Sequence, residues 1–69
     1  MLSRDEIIIF EKNIRDGINF EFKGNYKFAL SRYNTAYEIA KDENEIGYME
    51  RAMERIKSCE KKLEDELSL

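Results

Sequence analysis

The sequence predicts an all-α chain, a three-helix bundle in which a helix-turn-helix pair is followed by a third amphipathic helix. Three observations lead there. The 69 residues include no proline, and good helix formers fill most positions with little β-branched alternation. Apolar side chains recur at three- and four-residue intervals, the spacing that builds one face of a helix. Glycine and Asn/Asp groups, Gly24-Asn25 and Asp42-Glu43-Asn44-Glu45, then divide the chain into three segments of helical length. A single domain over 1–69 is expected, with helices at about 4–23, 26–41 and 43–66.

The first helix opens on Ser3-Arg4-Asp5-Glu6. The Ser3 hydroxyl can accept from a free amide while Glu6 reaches back, a capping box. Gly24 supplies the left-handed residue that ends this helix. Its apolar residues form one face of Ile7, Phe10, Ile14, Ile18 and Phe22, while Leu2, Ile9 and Phe20 lean towards another. The second helix is capped by Asn25. It carries Tyr26, Ala29, Leu30, Tyr33, Ala36, Tyr37 and Ala40 on one stripe, with Phe28 and Ile39 nearly opposite. For the third helix the pair Asp42 and Glu45 repeats the capping pattern. Its narrower seam is Ile46, Met49, Met53, Ile56, Leu63 and Leu67, flanked by Ala52 and Cys59, which suits a helix laid on a surface or one strand of a short coiled coil.

Composition narrows what such a bundle can be. A core of this size rarely supplies more than roughly 3–5 kcal/mol of net stability without a staple. Cys59 is the only cysteine and histidine is absent, so neither an internal disulfide nor a structural zinc site can serve, and no cofactor is expected. Close helix packing or association with another chain remains. The net charge of −3, from 15 acidic and 12 basic residues spread along the chain, argues against nucleic acid. Lys12, Arg15, Lys23 and Lys27 are interleaved with Glu11, Asp16 and Glu21 instead of forming a basic patch. Ile7 to Phe10 is too short to cross a bilayer, and Arg4-Asp5-Glu6 does not begin a signal peptide. A soluble, cytoplasmic protein without membrane partners is expected.

Gly17-x2-Phe20-x3-Gly24-x-Tyr26-x2-Ala29-x3-Tyr33-x2-Ala36 resembles the tetratricopeptide repeat, a helix-turn-helix unit of about 34 residues. The likeness covers about 13–41, and it implies a single repeat followed by a capping helix. Independently of the family, a glycine in one helix and alanines in the next remove bulk where the helices cross, and bring the axes to the short end of about 8–10 Å. Gly17, Ala29 and Ala36 are thus the close contact; Phe20, Tyr26 and Tyr33 fill the space beside it. Family members that clamp the carboxylate end of chaperones place a lysine three residues before the first glycine and an asparagine one after it. This chain has Ile14 and Ile18 there, so an apolar partner is implied, unless the third helix covers both. "DGINFEFKGNYKFALSRY" and "YMERAMERIK" also resemble pieces of the microtubule-interacting and transport domain, a three-helix bundle that binds helical peptide tails.

Catalysis finds little support. Without histidine, acid-base or nucleophilic chemistry would fall to Asp/Glu, Lys, Tyr or Cys59. Arg55 and Lys62 lie within a turn of Cys59, yet its place on the flank of an apolar seam favours an inert, part-buried thiol. The carboxylates read as a solvated face, with Glu54-Lys57 and Glu38-Lys41 as weak pairs. The tyrosines that share a stripe with alanines read as core, whereas Tyr48, off the third seam, is a candidate for outside contact. The expectation is a non-catalytic interaction module. It should form a homodimer by burying Ile9, Ile14, Ile18, Phe28, Ile39 and Tyr48 against a second copy or a partner helix. Alternatives are an adaptor that binds a helical peptide tail and, more distantly, a small regulator of an enzyme or nucleic acid.

Overall fold

The computed structural model describes residues 1–68 and contains three helices: α1 (Arg4–Phe22), α2 (Tyr26–Asp42) and α3 (Ile46–Leu67). Among these residues the fold is all-α, a bundle of three helices.

The capping box of α1 is present. The Glu6 amide donates to Ser3 Oγ at 3.1 Å and the Ser3 amide donates to Glu6 Oε1 at 2.9 Å. At its far end Gly24 adopts φ 80°, and the Asn25 amide donates to the Phe20 carbonyl at 2.8 Å, a Schellman closure. Asn25 stands at the N-cap of α2, but its side chain makes no capping hydrogen bond.

The second junction corrects the expected Asp42–Glu45 capping box. Asp42 is the last residue of α2, and Glu45 is the N-cap of α3 without a side-chain cap bond. The reason lies in Asn44, which takes the left-handed conformation (φ 54°) and lets the Glu45 amide donate to the Ala40 carbonyl at 2.9 Å. That closure repeats the one at Gly24, and it keeps Asp42 inside α2.

Helix α2 lies in the middle and packs along both neighbours, whereas the α1 and α3 backbones scarcely meet. Ala29, Tyr33, Ala36 and Ala40 form the buried stripe of α2; Phe10, Ile14 and Gly17 face it from α1; and Ala52, Ile56 and Cys59 face it from α3. The result is an elongated layer of 42 × 18 × 12 Å. Long side chains join its outer helices. The Phe10 and Tyr48 rings meet edge to face at 4.9 Å, and Arg51 both covers these rings and pairs with Glu11 at 2.7 Å.

Candidate functional site

At the crossing of α1 and α2 the expected packing set comes together. Gly17, Ala29, Tyr33 and Ala36 are buried, with Phe20 and Tyr26 half-buried beside them. A Cβ added to Gly17 would stand 2.6 Å from Tyr33 Cδ1 and 2.9 Å from Cζ, so the absence of a side chain is what admits the ring.

The Tyr33 hydroxyl then continues outward and donates to Glu21 Oε1 at 2.6 Å. Glu21 also pairs with Lys62, so one carboxylate ties α1 to both α2 and α3. Burial pushes the Glu21 carboxyl up, but the hydrogen bonds from Lys62 and Tyr33 outweigh this and hold it below the usual range. Burial and the same carboxylate push the Tyr33 hydroxyl above its ordinary value. This clasp went unread in the sequence, although Glu21 stands one turn after Gly17 on the same face.

Next to the clasp, Cys59 is fully buried, and its Sγ lies 3.6 Å from the Tyr26 carbonyl. Burial and the nearby Glu21 charge raise its thiol pKa, the reverse of what a nucleophile needs. Among the described residues no group of three or more His, Cys, Asp or Glu side chains is arranged to hold a metal, and no helix is long and apolar enough to cross a membrane.

The residues expected to face a partner separate into three groups. Ile9 and Phe28 are exposed, at 49% and 64%, although the Phe28 ring rests 5.6 Å from that of Phe20. Ile18 and Ile39 are half-buried. Ile14, only 7% exposed, belongs to the core and leaves the expected partner surface, and Tyr48 packs against Phe10 instead of standing free.

The inner face expected for α1 also needs correction, because Phe22 is 93% exposed. Each four-residue step along a helix drifts by about 40°, so the ladder Phe10, Ile14, Ile18, Phe22 turns steadily out of the core. The α3 seam behaves similarly at its ends, with Ile46 at 56% and Leu67 at 74% exposure. Ile8, on the side of α1 opposite Phe10, is a further exposed apolar residue that the face assignment passed over.

Along the open side of α3 runs a shallow groove. It encloses about 630 Å³, with Leu30, Leu63 and Leu67 as its apolar lining and Lys57, Glu60, Lys61, Glu64 and Asp65 as its charged residues. A separate, smaller hollow is lined by Glu50, Met53, Glu54 and Lys57. The expected pairs Glu54–Lys57 and Glu38–Lys41 do not form, since the ion pairs among the described residues all lie elsewhere. Comparison with protein-family models, with curated proteins and with solved structures finds no match to this chain.

Proposed function

We propose that the chain is a non-catalytic protein–protein interaction module that associates with a second copy of itself and works in a reducing, cytoplasmic setting without nucleic acid or membrane partners. The observation that carries this reading is the exposure of Ile8, Ile9, Phe22, Phe28, Ile46 and Leu67 in a chain with so small a core. A phenylalanine presents roughly 150–250 Å² of surface. Phe22 and Phe28 alone therefore leave on the order of 300 Å² open, worth about 7 kcal/mol gross if removed from water. Association entropy takes much of that, yet the remainder is comparable with the stability of the bundle itself.

The tight Gly17–Tyr33 crossing supports the resemblance to a tetratricopeptide repeat. In such repeats a unit leaves apolar faces for its neighbours to cover. The described residues hold one such unit and one further helix, and a second copy would cover the faces they leave open. A second reading, capture of a helical peptide from another protein, is favoured by the groove beside Leu30, Leu63 and Leu67.

Thermal melting across a hundredfold range of protein concentration tests the first reading. Stability linked to association falls by about 2.7 kcal/mol over that range, which lowers the midpoint by several degrees or more in a domain of this size. A midpoint that holds constant, together with a monomer by sedimentation equilibrium, removes self-association.

A further inference from the structure

We infer that the second copy packs on the outer face of the α1/α2 pair, the face turned away from α3, with the copies end for end about a two-fold axis. The axis crosses α1 between Ile14 and Arg15 and α2 between Tyr33 and Asn34. This inference rests on the self-association proposed above and names its surface.

A repeated spacing defines the face. Ile9 and Phe20 stand eleven residues apart on α1, and so do Phe28 and Ile39 on α2. Eleven residues make three turns with only about 20° of drift, so each pair lies on one side of its helix, about 16 Å apart. Phe20 and Phe28 meet across the helices at 5.6 Å and Gly17 lies against the Tyr33 ring, which sets the register of the antiparallel pair. The same register brings Ile9 level with Ile39. The face therefore carries a phenylalanine pair at the turn end and an isoleucine pair at the other, with Phe28 at 64% and Ile9 at 49% exposure. Polar groups between them are satisfied within their own helices, since Asn13 Nδ2 donates to the Ile9 carbonyl at 2.9 Å and the Thr35 hydroxyl donates to the Ser31 carbonyl at 3.1 Å.

Turning one copy end for end sets α1 on α1 and α2 on α2, with the phenylalanine pair of each on the isoleucine pair of the other. The charges of the α1 flank agree with that register. In chain order they are Asp5, Lys12, Asp16 and Lys23, and none makes an ion pair among the described residues. Under the two-fold, Asp5 meets Lys23 of the second copy and Lys12 meets its Asp16, each contact occurring twice as an isologous interface requires. On α2, Asp42 comes opposite the N-terminus of the other α2, whose free amides favour an acid. Arg32 lies over its own Phe20 ring at 5.9 Å and shares a hollow with Asp16, which draws its charge towards α1 and away from the axis. A two-fold parallel to the helices would instead bring Asp5 against Asp42.

The 17 residues of α2 make this face about 25 Å long, and two helices side by side make it roughly 20 Å wide, or about 500 Å² per copy. The total of about 1,000 Å² reaches the lower bound for a specific interface, so the dimer is a reversible one.

Phe22 leaves α1 about 160° round from Phe20, outside this face, and so provides the control. By sedimentation equilibrium, with helicity checked by circular dichroism, Phe28→Glu should weaken dimerisation at least about 100-fold and Phe22→Glu should change it by less than about twofold. Asp5→Lys and Lys23→Glu, both at exposed positions, test the register. Each alone sets like charges together twice and should dimerise about tenfold more weakly than the wild type. An equimolar mixture of the two, in which every such contact again joins opposite charges, should recover wild-type dimerisation. If Phe22→Glu weakens the dimer as much as Phe28→Glu does, if the charge variants dimerise as the wild type, or if their mixture gains nothing, this face is overturned while self-association stands. A wild type that stays monomeric at all concentrations overturns the parent reading as well.

Discussion

Gly17→Ala is the sharpest test of how α1 and α2 fit. In an exposed helix this substitution stabilises by about 1 kcal/mol, because alanine restricts the unfolded chain and glycine does not. Here the new Cβ would stand 2.6 Å from Tyr33 Cδ1 and closer still to Cε1. The Tyr33 ring is completely buried, and its hydroxyl is held by Glu21, so it cannot swing away freely. Overpacking costs about 1–3 kcal/mol. Dragging the hydroxyl from Glu21 costs a similar amount. The net expectation is a loss of about 1–5 kcal/mol, a large share of the roughly 3–5 kcal/mol such a bundle possesses. Gly47→Ala is the control, because its Cβ would have no atom within 4 Å, and it should gain about 1 kcal/mol. Urea melts by circular dichroism at one fixed protein concentration measure both. In a Tyr33→Leu background, which lacks Cε1 and Cζ, Gly17→Ala should become neutral or stabilising. If Gly17→Ala stabilises the wild type, or loses the same amount in both backgrounds, the close crossing is not what glycine provides.

Other perturbations probe the rest of the bundle. The Glu21 carboxyl titrates below its unfolded value of 4.5, so its contribution is fully present above that pH and is lost as pH falls through the folded value. Wild-type stability should drop more steeply than that of Glu21→Gln as pH falls below about 4.5, and equal slopes in urea melts would remove Glu21 as the responsible group. Cys59 should react with a thiol reagent on the order of 100-fold more slowly in the native protein than in urea, since it is buried and its pKa is raised; reaction at the rate of a free thiol contradicts its placement. Gly24→Ala should lose about 1 kcal/mol through its positive φ alone, with no steric contact to blame, whereas Asn44→Gly should change stability by less than about 0.5 kcal/mol.

What the sequence disclosed and what it concealed follow from the range of the interactions involved. Ser3, Glu6 and Gly24 act on backbone groups within a few residues, so the start of α1 and the turn after it were legible. The same local logic misled at Asp42 and Glu45, where two closures compete for the same segment and a left-handed Asn44 settles the outcome. The alanine stripe of α2 was readable because three small residues at helical spacing have few other uses. Phe22 was misassigned because a four-residue ladder looks continuous in a sequence while its direction drifts. The Glu21 clasp joins residues 12 and 41 positions apart, and nothing local marks Lys62 as its partner. Tyr48 looked free for a related reason. The Phe10 ring that occupies it arrives from the other outer helix.

The same small residues that let the helices approach also leave apolar surface outside. Alanine at three of the four buried α2 positions brings α1 and α3 close to α2 but contributes little side-chain area of its own. Beyond Tyr33 and Phe10, the fully enclosed side chains are small. With α2 in the middle and the outer helices joined only by long side chains, the bundle is a layer, and a layer of three helices cannot turn every apolar flank inward. Large residues such as Phe28, Ile46 and Leu67 are therefore displaced to the perimeter. Tight crossing and exposed flank are two results of one packing choice. A variant that fills the crossing and unfolds the chain, and Phe28→Glu, which should leave the chain folded but weaken its association with a second copy, would address the two halves of that choice independently.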